Sequence, residues 1–202
     1  MMWEFLFPQA CVGCGKPGMR MCGKCTGEWS RAPQRVTTLT DPHVPVWSLG
    51  EFGGVRRRTI INLKERGRTD AVRYLGPVVA AAVEHLKALG EVEEDIVLLP
   101  APTRMRSAQQ RGGDPVELIC RASGLRTERV LWHRPSVADS VGLDVSQRRR
   151  NLSGNIFLTR IPSSAVLIVD DVITTGATLA ESVAVLTSGN VKIRGALGLS
   201  NV

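Results

Sequence analysis

The chain has 202 residues, 43% of them hydrophobic, which suffices for one core of ordinary size with a small appendage beside it. Lys and Arg outnumber Asp and Glu by 26 to 19, a formal net charge of +7 that suits a polyanionic ligand or nucleic acid and equally suits plain solubility. No run approaches the roughly 18 uninterrupted apolar residues of a membrane span. The apolar opening from Met1 to Pro8 carries Glu4 and has no basic leader, so it does not match a secretory signal. The expectation is a soluble, cytoplasmic protein without membrane insertion.

Four of the five cysteines fall in two close pairs, Cys11-x-x-Cys14 and Cys22-x-x-Cys25. Each pair can chelate one zinc ion through thiolates, and together they fill a closed tetrahedral structural site. A disulfide pair or a redox dithiol are the alternatives. Residues 26–41 are polar and turn-rich without a clear period, which predicts a connector. Residues 1–40 are thus expected to be a cysteine module with its connector, and 44–202 the main domain.

Residues 44–49 form a β-branched, apolar run suited to a strand. Residues 56–65 follow with helical spacing through Ile60, Ile61 and Lys64, ended by Gly67. Asp70 can cap a second helix whose stripe is Leu75, Val78, Val79, Ala82, Val83, Leu86 and Leu89, closing at Gly90. Residues 96–99 read as a short buried strand. Pro100-Ala101-Pro102 then opens a loop to Gly113 that contains Arg104, Arg106 and Arg111 but no acid. Asp114 before Pro115 has the pattern of an N-cap with proline at the first helical position, and Gly124 closes that helix. Cys120 within it reads as a small core residue.

Residues 129–132 are a candidate strand, and 134–154 form a long polar stretch ending at Arg148-Arg149-Arg150-Asn151. Val166-Leu167-Ile168-Val169 is the strongest strand signal in the chain. A loop from Asp170 to Gly176, a helix to about Ser188 and a β-branched run over 191–197 complete the pattern. Strands alternating with helices in this way predict an α/β fold with a parallel sheet covered on both faces.

The loop after residue 169 carries the chemistry. Ligands of open parallel sheets bind beyond the carboxyl ends of the strands. Thr174-Thr175-Gly176-Ala177-Thr178 offers backbone N–H groups and three hydroxyls at a helix start, where free donors and the helix dipole favour a phosphate. Asp170 and Asp171 can accept hydrogen bonds from neighbouring ribose hydroxyls or bind a divalent cation through oxygen. Simple strand termination and helix capping are the bland alternative. All these features following one strand point instead to a phosphoribosyl site.

The run from Val166 to Thr178 resembles the phosphoribosyl pyrophosphate signature of type I phosphoribosyltransferases. Several features narrow the resemblance to the ComF-type competence proteins, an amidophosphoribosyltransferase-like branch. These are a leading Phe-Pro, the four-cysteine knuckle, Lys64 after a helix, Pro-x-Pro after a central strand, Arg111-Gly112, and Arg148 to Asn151 ahead of the signature. The resemblance implies a parallel-sheet type I phosphoribosyltransferase fold with a small N-terminal zinc knuckle. It implies that Asp170 and Asp171 hold ribose hydroxyls. Val172, Ile173, Thr174, Thr175, Gly176, Ala177 and Thr178 would form the loop around the 5′-phosphate, and Ala101, Pro102 and Thr103 would line the pyrophosphate.

By the same resemblance, Arg104, Arg106 and Arg111 lie on a mobile hood, Lys64 and Arg111 join the two aspartates in catalysis, and magnesium bridges the pyrophosphate. The chemistry implied is transfer of the phosphoribosyl group to a nitrogen acceptor that the sequence does not name. Relatives carry Arg-Gly-Phe-Asn-Gln at the hood where this chain has Arg111-Gly112-Gly113-Asp114-Pro115. Losing that ring and amide pair leaves a second possibility, binding without transfer in a competence protein that serves DNA uptake through single-stranded DNA or partner proteins. Aromatic residues are only 4%, which gives little support to a base-stacking platform. His43, His85 and His133 stand apart from any metal spacing, and Arg56 to Arg58 read more readily as solvated helix positions than as one patch. Oligomeric state is not encoded in any recognisable feature.

Overall fold

The computed structural model describes residues 9–103, 113–134 and 154–202. The apolar opening over 1–8, the arginines Arg104, Arg106 and Arg111, and the run Arg148 to Asn151 lie outside the described residues.

Seven strands and five α-helices are present among the described residues: α1 (Gly23–Trp29), β1 (Gln34–Arg35), β2 (Val46–Ser48), α2 (Gly54–Glu65), α3 (Val72–Ala88), β3 (Val97–Pro100), α4 (Pro115–Ala122), β4 (Leu131–His133), β5 (Ile156–Leu158), β6 (Val166–Ile173), α5 (Ala177–Ser188) and β7 (Ile193–Asn201). Five strands form one sheet in the order β1-β2-β7-β6-β3. β2, β7, β6 and β3 are mutually parallel, and only β1 is antiparallel. β4 and β5 make a separate antiparallel pair. The expected α/β architecture with a mostly parallel sheet is therefore present.

β6 shows why this sheet forms. Val166, Leu167, Ile168 and Val169 are all fully buried, as a strand covered on both faces requires. Leu167 and Val169 join α3 and α4 in one core, whereas Val166 and Ile168 join α5 in the other. The α3 stripe buries Leu75, Val79, Ala82, Val83 and Leu86, but Leu89 is the C-cap and remains 62% exposed. Gly76 permits the crossing of α3 over α4, since a Cβ there would stand 2.5 Å from the Ala122 backbone.

Two expectations need correction. Asp70 does not cap α3: a 3-10 turn, Thr69–Ala71, precedes that helix, and the Asp70 carboxylate is held by Arg68 at 2.8 Å. The connector over 26–41 is structured: it holds the second half of α1 and the edge strand β1, which pairs antiparallel with β2. β5 follows the polar stretch over 134–154, and its three residues are too few to show a period.

Asp114 does cap its helix. Its Oδ1 accepts from the Val116 N–H at 3.0 Å, with Pro115 at the first position of α4. Among the described residues no helix is long and apolar enough to cross a membrane.

Candidate functional site

The signature strand is longer than its hydrophobic run. β6 continues through Asp170, Asp171 and Val172 to Ile173, because β7 runs beside it as far as the pairing of Ile173 with Asn201. The expected loop thus shrinks to Thr174, Thr175 and Gly176, and Val172 and Ile173 pack against the two hydrophobic cores. Gly176 is the N-cap of α5 with φ +82°, a left-handed conformation that glycine adopts without steric cost. Thr174 and Thr175 are exposed and Thr178 is half-buried, so their hydroxyls border open space at the start of α5.

The connector reaches this turn. The Thr40 N–H donates to the Thr175 carbonyl at 2.8 Å, and the Thr38 hydroxyl donates to the Thr40 carbonyl at 2.7 Å. A Cβ at residue 176 would stand 2.6 Å from that same Thr40 carbonyl oxygen and 2.7 Å from Thr38 Cβ. Residues 38–40 therefore form a backing to the turn. Their polar composition gave no sign of it.

Strand alternation puts the two aspartates on different sides. Asp171 turns toward α2, where Lys64 Nζ lies 2.6 Å from Asp171 Oδ2. Asp170 accepts the Asp171 N–H through Oδ1 at 2.8 Å. Burial, and then the adjacent Asp171 carboxylate, push Asp170 up to about 7, while Lys64 partly offsets the rise. Asp114 adds a smaller push in the same direction. Beside this pair, the Ala101 N–H donates to the Val169 carbonyl at 2.7 Å. The Ala101-Pro102-Thr103 segment consequently leaves β3 next to Asp170, with Ala101 and Pro102 buried and Thr103 half-buried.

The four N-terminal cysteines converge. Their sulfurs all lie within 4.8 Å of one another, and none is in a disulfide. Cys14 Sγ and Cys22 Sγ are 3.7 Å apart, close to the edge of about 3.8 Å of a tetrahedron with zinc–sulfur bonds of about 2.3 Å. The Cys22 N–H donates to Cys11 Sγ at 3.3 Å. Burial alone would raise Cys11, but backbone N–H groups of Cys14, Cys22 and Gly13 outweigh it and hold the thiol at about 6. Burial, followed by the other three cysteines, pushes Cys25 well above the ordinary thiol range. A set in which some thiols ionise easily and another resists is what four sulfurs without a counter-charge must show, and a divalent cation resolves it. The donor set fits a structural metal such as zinc.

Arg56, Arg57 and Arg58 part company on α2: the last two are exposed, whereas Arg56 is 5% exposed. Arg56 donates to the Glu28 carbonyl, faces the Glu28 carboxylate at 3.8 Å and lies over the Trp29 ring at 5.5 Å. A cavity of about 500 Å³ borders it between α1, the end of β2 and the first turn of α2, and no residue of 170–178 lines that cavity. Cys120 is fully buried in α4 and stays protonated through burial. None of the three histidines joins a metal cluster among the described residues.

No protein-family model matches the chain. It is similar to the DNA utilization protein YhgH of Escherichia coli O157:H7, 28% identical over 185 residues that cover 85% of this chain and 74% of that protein. The DNA utilization proteins YhgH of Shigella flexneri and of Escherichia coli strain K12 are each 27% identical over the same shares.

Proposed function

We propose that the chain is a ComF-type, phosphoribosyltransferase-like protein that binds phosphoribosyl pyrophosphate together with magnesium at the carboxyl ends of β6 and β3. One observation carries the proposal. Two adjacent carboxylates, one paired with Lys64 at 2.6 Å, lie in the second half of β6, shortly before a hydroxyl-bearing turn at the start of α5. Ribose hydroxyls need carboxylate acceptors, and a 5′-phosphate needs clustered donors a few ångströms away. β6 and its turn bring both together. The fold would be that of the type I phosphoribosyltransferases, with the cysteine module and connector over 1–40 appended to a domain over 44–202.

In this proposal Asp170 and Asp171 accept the ribose hydroxyls. The 172–178 segment surrounds the 5′-phosphate, using the backbone of Val172, Ile173 and Ala177 and the side chains of Thr174, Thr175 and Thr178. Ala101, Pro102 and Thr103 border the pyrophosphate. Magnesium, when bound, offsets charge on the departing pyrophosphate. Arg111, with Arg104 and Arg106, would supply positive charge to the same group. In transfer, the bond from ribose C1 to the pyrophosphate oxygen breaks as a nitrogen lone pair forms the new bond to C1. Positive charge at the ring is then spread through an oxocarbenium-like state that the two carboxylates favour electrostatically.

A second proposal is supported by the similarity to proteins named for DNA utilization. In it the chain senses phosphoribosyl pyrophosphate without transferring it and serves DNA uptake by binding single-stranded DNA or competence partners. Calorimetry with phosphoribosyl pyrophosphate and magnesium tests the shared premise. Binding by the native chain that Asp170→Asn/Asp171→Asn loses is the expected result, and no binding by the native chain would overturn it. Pyrophosphate release on adding nucleobases then favours the transferase, whereas DNA binding that weakens steeply with salt and proceeds without turnover favours the second proposal.

A further inference from the structure

α2 touches the cysteine cluster along its length and the aspartate pair at its end. The Asn62 side-chain amide donates to the Val12 carbonyl at 2.7 Å, and Val12 directly follows Cys11. Arg68, in the turn after α2, donates to the Ala10 carbonyl at 2.8 Å on the other side of Cys11. At the other end of the contact, Gly13 is packed so closely that a Cβ there would stand 2.8 Å from Val55 Cγ1 and 2.9 Å from Cys25 Sγ. Lys64 sits two residues beyond Asn62 and reaches Asp171. An α-helix of twelve residues is stiff on this scale, so a shift of its register against the knuckle is transmitted to Lys64 rather than absorbed.

We infer that the metal state of the four-cysteine knuckle sets the Lys64–Asp171 ion pair through α2, with Asn62 and Arg68 as the positioning residues that tie the helix to the segment around Cys11. Loading the knuckle fixes the Ala10 to Val12 backbone, which fixes Asn62 and Arg68, which holds Lys64 against the second aspartate. Metal loss frees that backbone and lets the ion pair open. The consequence for ligand affinity rests on the phosphoribosyl proposal above, but the effect on Lys64 does not.

The experiment reads Lys64 directly. Zinc-loaded and chelator-stripped full-length chain are labelled briefly with an amine-acylating reagent, and modification of Lys64 and Lys87 is compared by mass spectrometry. Lys87, on α3 and paired with Glu84 at 2.8 Å, is the internal control. Stripping is expected to raise Lys64 labelling severalfold while Lys87 stays unchanged. Asn62→Leu covers the case in which stripping unfolds the chain: it should retain zinc, keep its circular dichroism and still show raised Lys64 labelling. Equal labelling of Lys64 in loaded and stripped chain, or in native and Asn62→Leu chain, overturns the inference, as does a parallel rise at Lys87.

Binding of phosphoribosyl pyrophosphate is measured in the same samples. Site coupling of ordinary size predicts a loss of about 5- to 150-fold on stripping, and linkage requires the ligand to tighten zinc by the same factor. If Lys64 responds but the native chain binds no phosphoribosyl pyrophosphate, the coupling stands and the ligand proposal fails. If the ligand binds with the same affinity whether or not the knuckle is loaded and Lys64 labelling is also unchanged, the coupling fails and the ligand proposal stands.

Discussion

Lys64 Nζ lies 2.6 Å from Asp171 Oδ2, joining the last turn of α2 to the end of β6. Lys64 is about one-third exposed and Asp171 mostly buried, so the pair contributes roughly 1 kcal/mol or less to folding. Its larger effect is on the field at Asp170, where Lys64 opposes the push from Asp171. Lys64→Met is therefore expected to change the melting temperature by only a few degrees and to weaken phosphoribosyl pyrophosphate binding at least tenfold. Thermal melts and calorimetry on the same preparation check both. A large drop in melting temperature with unchanged affinity would assign the residue to the fold instead.

Gly176 is held by both its backbone and its neighbours. A non-glycine residue at φ +82° costs about 1–3 kcal/mol, and a Cβ there would stand 2.6 Å from the Thr40 carbonyl oxygen. Asparagine tolerates left-handed backbone better than alanine but carries the same Cβ. Gly176→Asn is accordingly expected to be as destabilised as Gly176→Ala, within about 0.5 kcal/mol by denaturant titration. Substantial recovery in the asparagine variant would mean that backbone strain, rather than the strap of residues 38–40, sets the requirement.

The strap and the ion pair also mark where the sequence stopped being informative. Val166 to Val169 and the helix ending at Ser188 were legible because burial on both faces leaves an unbroken apolar run and a covered helix leaves a period. β1 was not: Gln34 and Arg35 are both exposed, and the strand exists only because β2 has an open edge to pair with. Thr40 meets Thr175, and Lys64 meets Asp171, through long-range packing that no local pattern encodes; Lys64 was placed at the site by family resemblance alone. The run Gly113-Asp114-Pro115, where the resembled family carries Phe-Asn-Gln, is partly explained by the fold. Asp114 is an N-cap with a bonded Val116 N–H, a role in which aspartate and asparagine are nearly equivalent, so this departure preserves the start of α4.

Metal content separates the two kinds of cysteine. Cys25 is fully buried among the four converging sulfurs, whereas Cys120 is fully buried in α4 outside them. Cys25→Ser should reduce zinc, measured by mass spectrometry of the purified chain after dialysis, from about one ion per chain to a small fraction. Cys120→Ser should keep the full metal content while losing about 1–3 kcal/mol of stability from a hydroxyl placed where a thiol packed. Full metal content in Cys25→Ser would exclude the four-sulfur site.

Asp170 makes stability depend on pH in a defined direction. Its carboxyl is raised from 3.8 to about 7, first by burial and then by Asp171, so the folded chain binds this proton more tightly than the unfolded chain does. The resulting support for the fold is complete below pH 3.8 and fades as pH rises through about 7, above which the fold carries a half-buried, ionised group. Asp170→Asn removes that cost without removing volume. It is expected to match the native melting temperature at pH 4 and to exceed it at pH 8 by at least about 3 °C, the shift of roughly 1 kcal/mol in a chain of this size. Retaining such a carboxylate at the expense of stability is a common property of binding sites, and the same variant should lose ligand affinity. A difference in melting temperature that stays constant from pH 4 to pH 8 would show that Asp170 keeps its charge throughout and that burial does not govern it.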